Sequence, residues 1–139
     1  MTAQALIVLH AQRHRLDDRP ITDPLLQQAR RQIAQARQQG ILVVYLQHDG
    51  QEGDPDQPFT RGWTLHPEFR AEAGDLLLRV TDDDAFQGSR LDAELRHLGV
   101  QTLTLLALDA GGAARAATAR TAEALGYVLA QAEPILSAD

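Results

Sequence analysis

The hydrophobic positions of the chain form five short apolar runs, separated by polar or helically periodic segments. The runs cover residues 5–9, 41–46, 76–80, 100–108 and 127–130. Short, continuous apolar runs are typical of strands that are buried on both faces of a parallel sheet. The pattern therefore predicts five strands.

Three of the intervening segments have the spacing and the end signals of helices. The first helix is capped by Thr22 or Asp23 and stops at Gly40, the second opens at Ser89 and stops at Gly99, and the third follows Gly111-Gly112 and continues through Leu125. Strands that alternate with helices imply right-handed crossovers. We therefore predict a Rossmann-type α/β fold, a three-layer doubly wound parallel sheet, in a single domain over residues 1–139.

The carboxyl edge of the predicted sheet is where a doubly wound fold binds its ligand. The segments that fall there are His10 and residues 47–49, 81–84 and 109–112. The Asp82–Asp84 run at this edge is expected to be a solvated turn rather than a cation site, because adjacent carboxylates seldom point the same way. A long connection over residues 47–75 follows the second strand, and loops of this length are usually functional or flexible.

The chain has no cysteine and no lysine, and this composition limits the catalytic mechanisms and binding sites that it can form. Its 13 basic residues are all arginine, against 19 acidic residues, and a formal net charge of −6 disfavours nucleic acid and anionic membranes as partners. The first apolar run is too short for a signal peptide and no run is long enough to span a bilayer, so we expect a cytoplasmic protein. The lack of cysteine excludes disulfides, thiolate metal sites and a thiol nucleophile.

Four segments of the chain carry a recognisable order of motifs. They are Ala5–Gln12, Tyr45–Asp49 with Gly62–Glu68, Ala85–Asp92 with Leu98–Val100, and Ala117–Arg120 with Leu125–Tyr127. In order and spacing, across about residues 5–135, they resemble the isochorismatase-like (cysteine hydrolase) family. The resemblance implies the doubly wound fold predicted above and a hydrolase ancestry.

The resemblance also implies where the family's catalytic Asp, Lys and Cys should lie. The Asp, which acts as the general base, falls on His10; the Lys falls on Val80 and the nucleophilic Cys on Ala114. Covalent hydrolysis needs a nucleophile beside a base, and neither valine nor alanine can give up or accept a proton. We therefore predict that the cysteine-hydrolase mechanism is absent and that the chain is a pseudoenzyme, acting as a binding or assembly protein.

An active hydrolase with a relocated mechanism is the alternative hypothesis, using His10 or a metal near His48 and His66. Nicotinamidases, which are relatives in the same superfamily, bind a metal through an Asp and two His residues around this region. The chain has the residue types for a zinc-like site, but convergence of distant histidines depends wholly on the fold. We therefore predict no metal and no cofactor, with these histidines anchoring loops.

Seven residues form the candidate pocket at the carboxyl edge. They are His10, His48, Asp49, Trp63, His66, Gly111 and Gly112. Because the two inert positions would make the pocket more apolar than in active relatives, we expect a small neutral ligand or no ligand. Family members usually continue past the fifth strand, so we also expect a C-terminally shortened sheet and a homo-oligomer, most simply a dimer, formed across the sheet edge or across the Ala-rich last helix.

Overall fold

Five parallel strands form one sheet in the computed structural model, which describes residues 3–108 and 112–130. The strands are β1 (Ala3–Leu9), β2 (Leu42–His48), β3 (Leu76–Val80), β4 (Val100–Ala107) and β5 (Val128–Ala130). Their order across the sheet is β3-β2-β1-β4-β5, and every neighbouring pair is parallel. All five predicted strands are confirmed.

The helices are α1 (Arg13–Leu16), α2 (Pro24–Gln38), α3 (Leu91–His97) and α4 (Ala113–Ala124), with a 3-10 turn at Arg61–Trp63. The predicted cap of α2 is confirmed, since the Asp23 carboxylate accepts a hydrogen bond from the Leu25 N–H at 2.8 Å. Ser89 likewise accepts from the Leu91 N–H at 3.3 Å, at the start of α3. Helix α1 was not predicted, because one short turn carries no readable periodicity.

Alternate residues of the central strands pack on opposite faces of the sheet, as the pleat requires. Ile7 of β1 packs in a core with Leu95 of α3, whereas Val8 packs in a second core with Leu26 of α2. Helices α3 and α4 thus cover one face, and α1 and α2 cover the other. This arrangement confirms the three-layer α/β fold.

The strand order has a switch point between β1 and β4, which are neighbours in the sheet although β2 and β3 come between them in sequence. Strands β2 and β3 lie on one side of β1, while β4 and β5 lie on the other. In open α/β sheets such a switch point leaves a crevice at the carboxyl ends of the two central strands, and ligands bind there. His10 is the first residue after β1 and therefore lies at this crevice.

The edges of the sheet are β3 and β5 within the described residues. Val128 of β5 is 61% exposed. No helix in the described part of the chain is long and apolar enough to cross a membrane.

Candidate functional site

His10 combines complete burial, a left-handed backbone and an unpartnered ring. Its exposure is 0%, its φ is +64°, and neither Nδ1 nor Nε2 has a hydrogen-bond partner among the described residues. Its backbone N–H donates to the Leu46 carbonyl at 3.1 Å, which fixes the residue beside the end of β2. A non-glycine residue in the left-handed region is uncommon, and buried polar atoms are nearly always bonded.

The electrostatic environment keeps the His10 imidazole neutral. Burial, together with the charges of Arg15, His48 and His14, lowers its pKa from 6.5 to about 3, and only the Asp56 carboxylate opposes this shift. A neutral imidazole carries one N–H donor and one acceptor nitrogen. At pH 7 the crevice therefore contains an enclosed group that can give one hydrogen bond and accept another.

Two more histidines and a carboxylate lie next to His10. The His10 and His48 rings meet edge to face, with centroids 5.4 Å apart. His48 Nδ1 lies 2.5 Å from Asp56 Oδ2, and His14 Nε2 lies 3.7 Å from the same oxygen. Burial raises the pKa of Asp56, but its hydrogen bond to His48 and the charges of both histidines outweigh burial and hold the pKa below its usual value.

A buried glutamine joins this cluster to the long loop. The Gln12 side-chain oxygen accepts from the His48 N–H at 2.8 Å, and its amide nitrogen donates to the carbonyls of His48 and Trp63, both at 2.9 Å. Gln47 donates to the same Trp63 carbonyl at 2.9 Å. The ends of β1 and β2 and the 3-10 turn are therefore held together by two side-chain amides.

The loop between Asp49 and Trp63 is packed too closely for larger residues at two positions. A Cβ on Gly50 would lie 2.0 Å from Asp56 Oδ1, and a Cβ on Gly62 would lie 2.2 Å from the Pro55 carbonyl oxygen. Neither glycine has a positive φ. Glycine is required here by close approach rather than by backbone conformation.

An aromatic and guanidinium stack forms the outer rim of this loop. The Trp63 indole N–H donates to Asp49 Oδ1 at 2.7 Å, and Arg79 Nη2 lies 2.8 Å from Asp49 Oδ2. The Arg79 guanidinium lies 5.2 Å from the Trp63 ring centroid and 5.3 Å from that of Phe59. Two predicted pocket residues, Asp49 and Trp63, thus lie together and fasten the loop to β3.

His66 lies in different surroundings. Its Nδ1 accepts from the Glu68 N–H at 3.2 Å, and its ring lies against Phe69 with centroids 6.0 Å apart. No described contact joins it to His48. Within residues 3–108 and 112–130, no group of three or more His, Cys, Asp or Glu side chains is arranged to hold a metal ion.

Of the two predicted pocket residues at the start of the last helix, the structure describes only one. Gly111 lies outside the described residues. Gly112 precedes α4 with a left-handed φ of +69°. It therefore allows the turn from β4 into the helix at a φ that glycine adopts at no steric cost.

The family model of the isochorismatase domain matches residues 4–133. The chain belongs to the isochorismatase family. Two streptothricin hydrolases of Streptomyces noursei are 40% identical over 103 residues and 37% identical over 108 residues. These alignments cover 74% and 78% of the chain, but only 37% and 42% of the two relatives. The chain thus spans less than half the length of the relatives that it matches.

Solved structures of the isochorismatase family superpose on the whole described sheet. N-carbamoylsarcosine amidase of Thermoplasma acidophilum matches with a TM-score of 0.84 at 28% identity, over 99% of this chain and 86% of the amidase. An isochorismatase of Pseudomonas putida KT2440 matches with a TM-score of 0.82 at 21% identity, over 92% and 67% of the two chains. The second likeness concerns the fold alone.

Inert side chains occupy the two positions to which the resemblance assigned the family's Lys and Cys. Val80 is 2% exposed and packs in the core beneath α3 and α4. Ala114 is 2% exposed and belongs to the buried stripe of α4 that continues with Thr118 and Ala122. Since the sequence contains no lysine or cysteine, no neighbouring residue restores those groups.

Asp84 is the centre of a second polar cluster at the same edge. It is 8% exposed, so the expectation of a solvated turn is wrong for this residue. Its Oδ1 accepts from the Phe86 N–H at 3.0 Å, and its Oδ2 accepts from the Thr121 hydroxyl. Thr118 in turn accepts from the Ala85 N–H at 3.0 Å. The Asp84 carboxylate points into the protein because the Phe86 N–H and the Thr121 hydroxyl need a hydrogen-bond acceptor.

Proposed function

We propose that this isochorismatase-family chain is a binding or assembly protein that does not hydrolyse substrates through a covalent thiol route. The observation that carries the proposal is the burial of Val80 and Ala114, the residues that the family resemblance assigns to the catalytic Lys and Cys. Their side chains carry no ionisable group, and the whole sequence offers no replacement. A fold that lacks a nucleophile still has the crevice at its switch point, and such a crevice can bind a ligand.

A small uncharged ligand suits this site best. His10 offers a neutral imidazole at the carboxyl end of β1, and the residues that the resemblance assigns to the catalytic Lys and Cys, Val80 and Ala114, are apolar. A charged ligand would lose its hydration there, and because both the Asp56 carboxylate and Arg15 act on His10, either sign of charge would also meet a like charge. Small uncharged amides are therefore the first ligands to test, and streptothricin is the substrate to test for turnover, because the relatives from Streptomyces noursei are named for its hydrolysis.

Hydrolysis by an activated water is the second candidate function, and one contact favours it. Asp56 bonds Nδ1 of His48 at 2.5 Å, as a carboxylate does when it orients an imidazole to take a proton at Nε2. His10 is the weaker base for this role, because a group with a pKa of about 3 accepts a proton poorly at pH 7. His48, which is 19% exposed, is therefore the residue to test.

The deciding experiment compares the natural chain with a variant that restores the family's catalytic groups. The triple variant His10→Asp, Val80→Lys and Ala114→Cys is the positive control for turnover. We expect calorimetry to show that the natural chain binds a small uncharged amide, and kinetics with streptothricin to show turnover by the triple variant alone. Turnover by the natural chain that is lost in His48→Ala would overturn the proposal in favour of the second candidate.

Assembly as a homodimer across the edge of the sheet belongs to the same proposal. Val128 exposes an apolar side chain on β5, which is an edge strand within the described residues, and an unpaired edge invites another strand. We expect sedimentation to show a dimer that Val128→Lys dissociates, with Ile21→Lys, a similarly exposed apolar residue before α2, as the matched control. A monomer at micromolar concentration would contradict this part of the proposal.

A further inference from the structure

His10 has two features that weaken a fold, and a single substitution could remove either. A left-handed backbone is unfavourable for a side chain with a Cβ, and its φ is +64°. Its two buried ring nitrogens have no partner in the part of the chain that the structure describes, so they lose the hydrogen bonds that water would give them. Neither feature contributes to holding β1 in the sheet, since only the His10 backbone N–H bonds to its neighbour strand.

The place of His10 in the fold explains why such a residue is tolerated. It lies at the carboxyl end of β1, where the strand order reverses and the crevice forms. Strained residues and unsatisfied polar groups concentrate at functional sites, and here both occur on one side chain. The second polar cluster, around Asp84, has neither strain nor an unpartnered described oxygen.

We propose that His10 anchors the ligand and recognises an uncharged group that both donates and accepts a hydrogen bond. This inference rests on the proposed binding function and names the ligand chemistry of that site. An anion could only accept, which leaves the acceptor nitrogen of the ring unpaired, and the Asp56 carboxylate near His10 and His48 repels it. A cation could only donate, which leaves the ring N–H unpaired, and the attraction of the Asp56 carboxylate is opposed by the charge of Arg15.

Three probes of nearly equal size test this chemistry: acetamide donates and accepts, acetone only accepts, and acetate is an anion. Each is titrated while the ¹⁵N resonances of the histidine rings are followed by NMR. We expect acetamide to shift the His10 ring resonances saturably, with acetone and acetate binding about tenfold or more weakly, as one lost hydrogen bond implies.

Two His10 variants that both accept a left-handed backbone separate recognition from packing. His10→Asn keeps a donor and an acceptor, so acetamide affinity should stay within about threefold. His10→Gly removes both and should lose about tenfold or more. His97→Asn, on the exposed end of α3, is the control and should bind as the natural chain does.

Several outcomes would overturn the inference. These are equal or tighter binding of acetate, unchanged acetamide binding in His10→Gly, no binding of any probe, or a crystal structure that holds only water at His10. A ligand whose shifts spare His10 and fall on His48 and Trp63 would leave the binding function intact and refute the anchor alone. Turnover by the natural chain would refute the binding function while leaving the recognition at His10 standing.

Discussion

Two buried polar clusters at the carboxyl edge of the sheet differ in how fully they are hydrogen bonded. Around Asp84, the carboxylate is matched by the Phe86 N–H and the Thr121 hydroxyl, and Thr118 caps the same turn. Around His10, both ring nitrogens lack partners among the described residues and the backbone is left-handed. The first cluster follows the end of β3, and the second lies at the switch point.

The difference indicates which part of the sheet edge has polar groups that a ligand could hydrogen bond. A buried network with every group paired stabilises a fold and leaves little for a ligand. A buried group without a partner lowers stability until something binds it. We therefore infer that the β3 and α4 side of the edge supports the fold, and we propose that a ligand is recognised on the β1 and β2 side.

Removing the Asp84 carboxylate should have the largest effect. Asp84→Ala leaves the buried Phe86 N–H and the Thr121 hydroxyl unpaired, which should lower the free energy of unfolding by about 3 kcal/mol. Urea unfolding measures it, and Asp83→Ala, an exposed neighbour, should change it by less than about 0.5 kcal/mol. Equal effects of the two variants would mean that the Asp84 network contributes nothing to the scaffold.

Adding one methyl group at Gly50 should disturb the other cluster by a comparable amount. The new Cβ would lie 2.0 Å from Asp56 Oδ1, so the loop must shift at a cost of about 2 kcal/mol. We expect Gly50→Ala to weaken the His48–Asp56 contact and to move the His48 ring resonances. Gly53→Asn, where no atom lies within 4 Å and asparagine tolerates the left-handed φ, is the control. Unmoved His48 resonances in Gly50→Ala would argue against this packing.

Acid should weaken the fold through the histidine cluster. The folded pKa of His10, about 3, lies below its ordinary value of 6.5, so the unfolded chain takes up the proton first as the pH falls. Its contribution to stability is complete above about pH 6.5 and is lost progressively towards pH 3, with about 2 kcal/mol lost between pH 7 and pH 5. The lowered pKa values of His14 and His66 act in the same direction.

The pH prediction is tested by urea unfolding at intervals between pH 7 and pH 4.5. His10→Asn should flatten the dependence, because the variant has no proton to take up at this position. His97→Asn should leave the slope unchanged. A slope that is identical in all three proteins would assign the acid sensitivity elsewhere.

The exposed rim should show the smallest effect. Arg79→Gln breaks the ion pair with Asp49, which is worth less than about 1 kcal/mol because solvent screens it. It should nevertheless change the fluorescence of Trp63, the only tryptophan, since the guanidinium lies 5.2 Å from its ring. Arg31→Gln, on the exposed face of α2, should change neither quantity. A loss of several kcal/mol in Arg79→Gln would make the rim part of the scaffold.

The sheet could be predicted from the sequence because each strand is a local apolar run with a turn behind it. The α2 cap at Asp23 was visible for the same reason, since its partner is two residues away. His10 could be placed at the carboxyl edge because it follows a buried strand directly. Local pattern was enough wherever the partners are close in sequence.

The rest of the site could not be predicted because its contacts are distant in sequence. Gln12 reaches residues 36 and 51 positions away, and His14 meets Asp56 only after the loop folds back over α1. No spacing rule identifies Asp56, although Gly50 and Gly62 in the same loop could have indicated a close approach. His66 shares that loop, but its backbone N–H bonds to the Ala11 carbonyl and its ring turns to Phe69.

The side-chain amide of Gln12 has a consequence for how the molecule opens. Its two hydrogens are held by carbonyls of different segments, and its oxygen holds a third group on β2. Local opening that releases the 3-10 turn must therefore break a hydrogen bond of the same side-chain amide that bonds His48 at the end of β2. Solvent exchange at that amide and at the His48 backbone should then proceed at one shared rate, as a single cooperative unit.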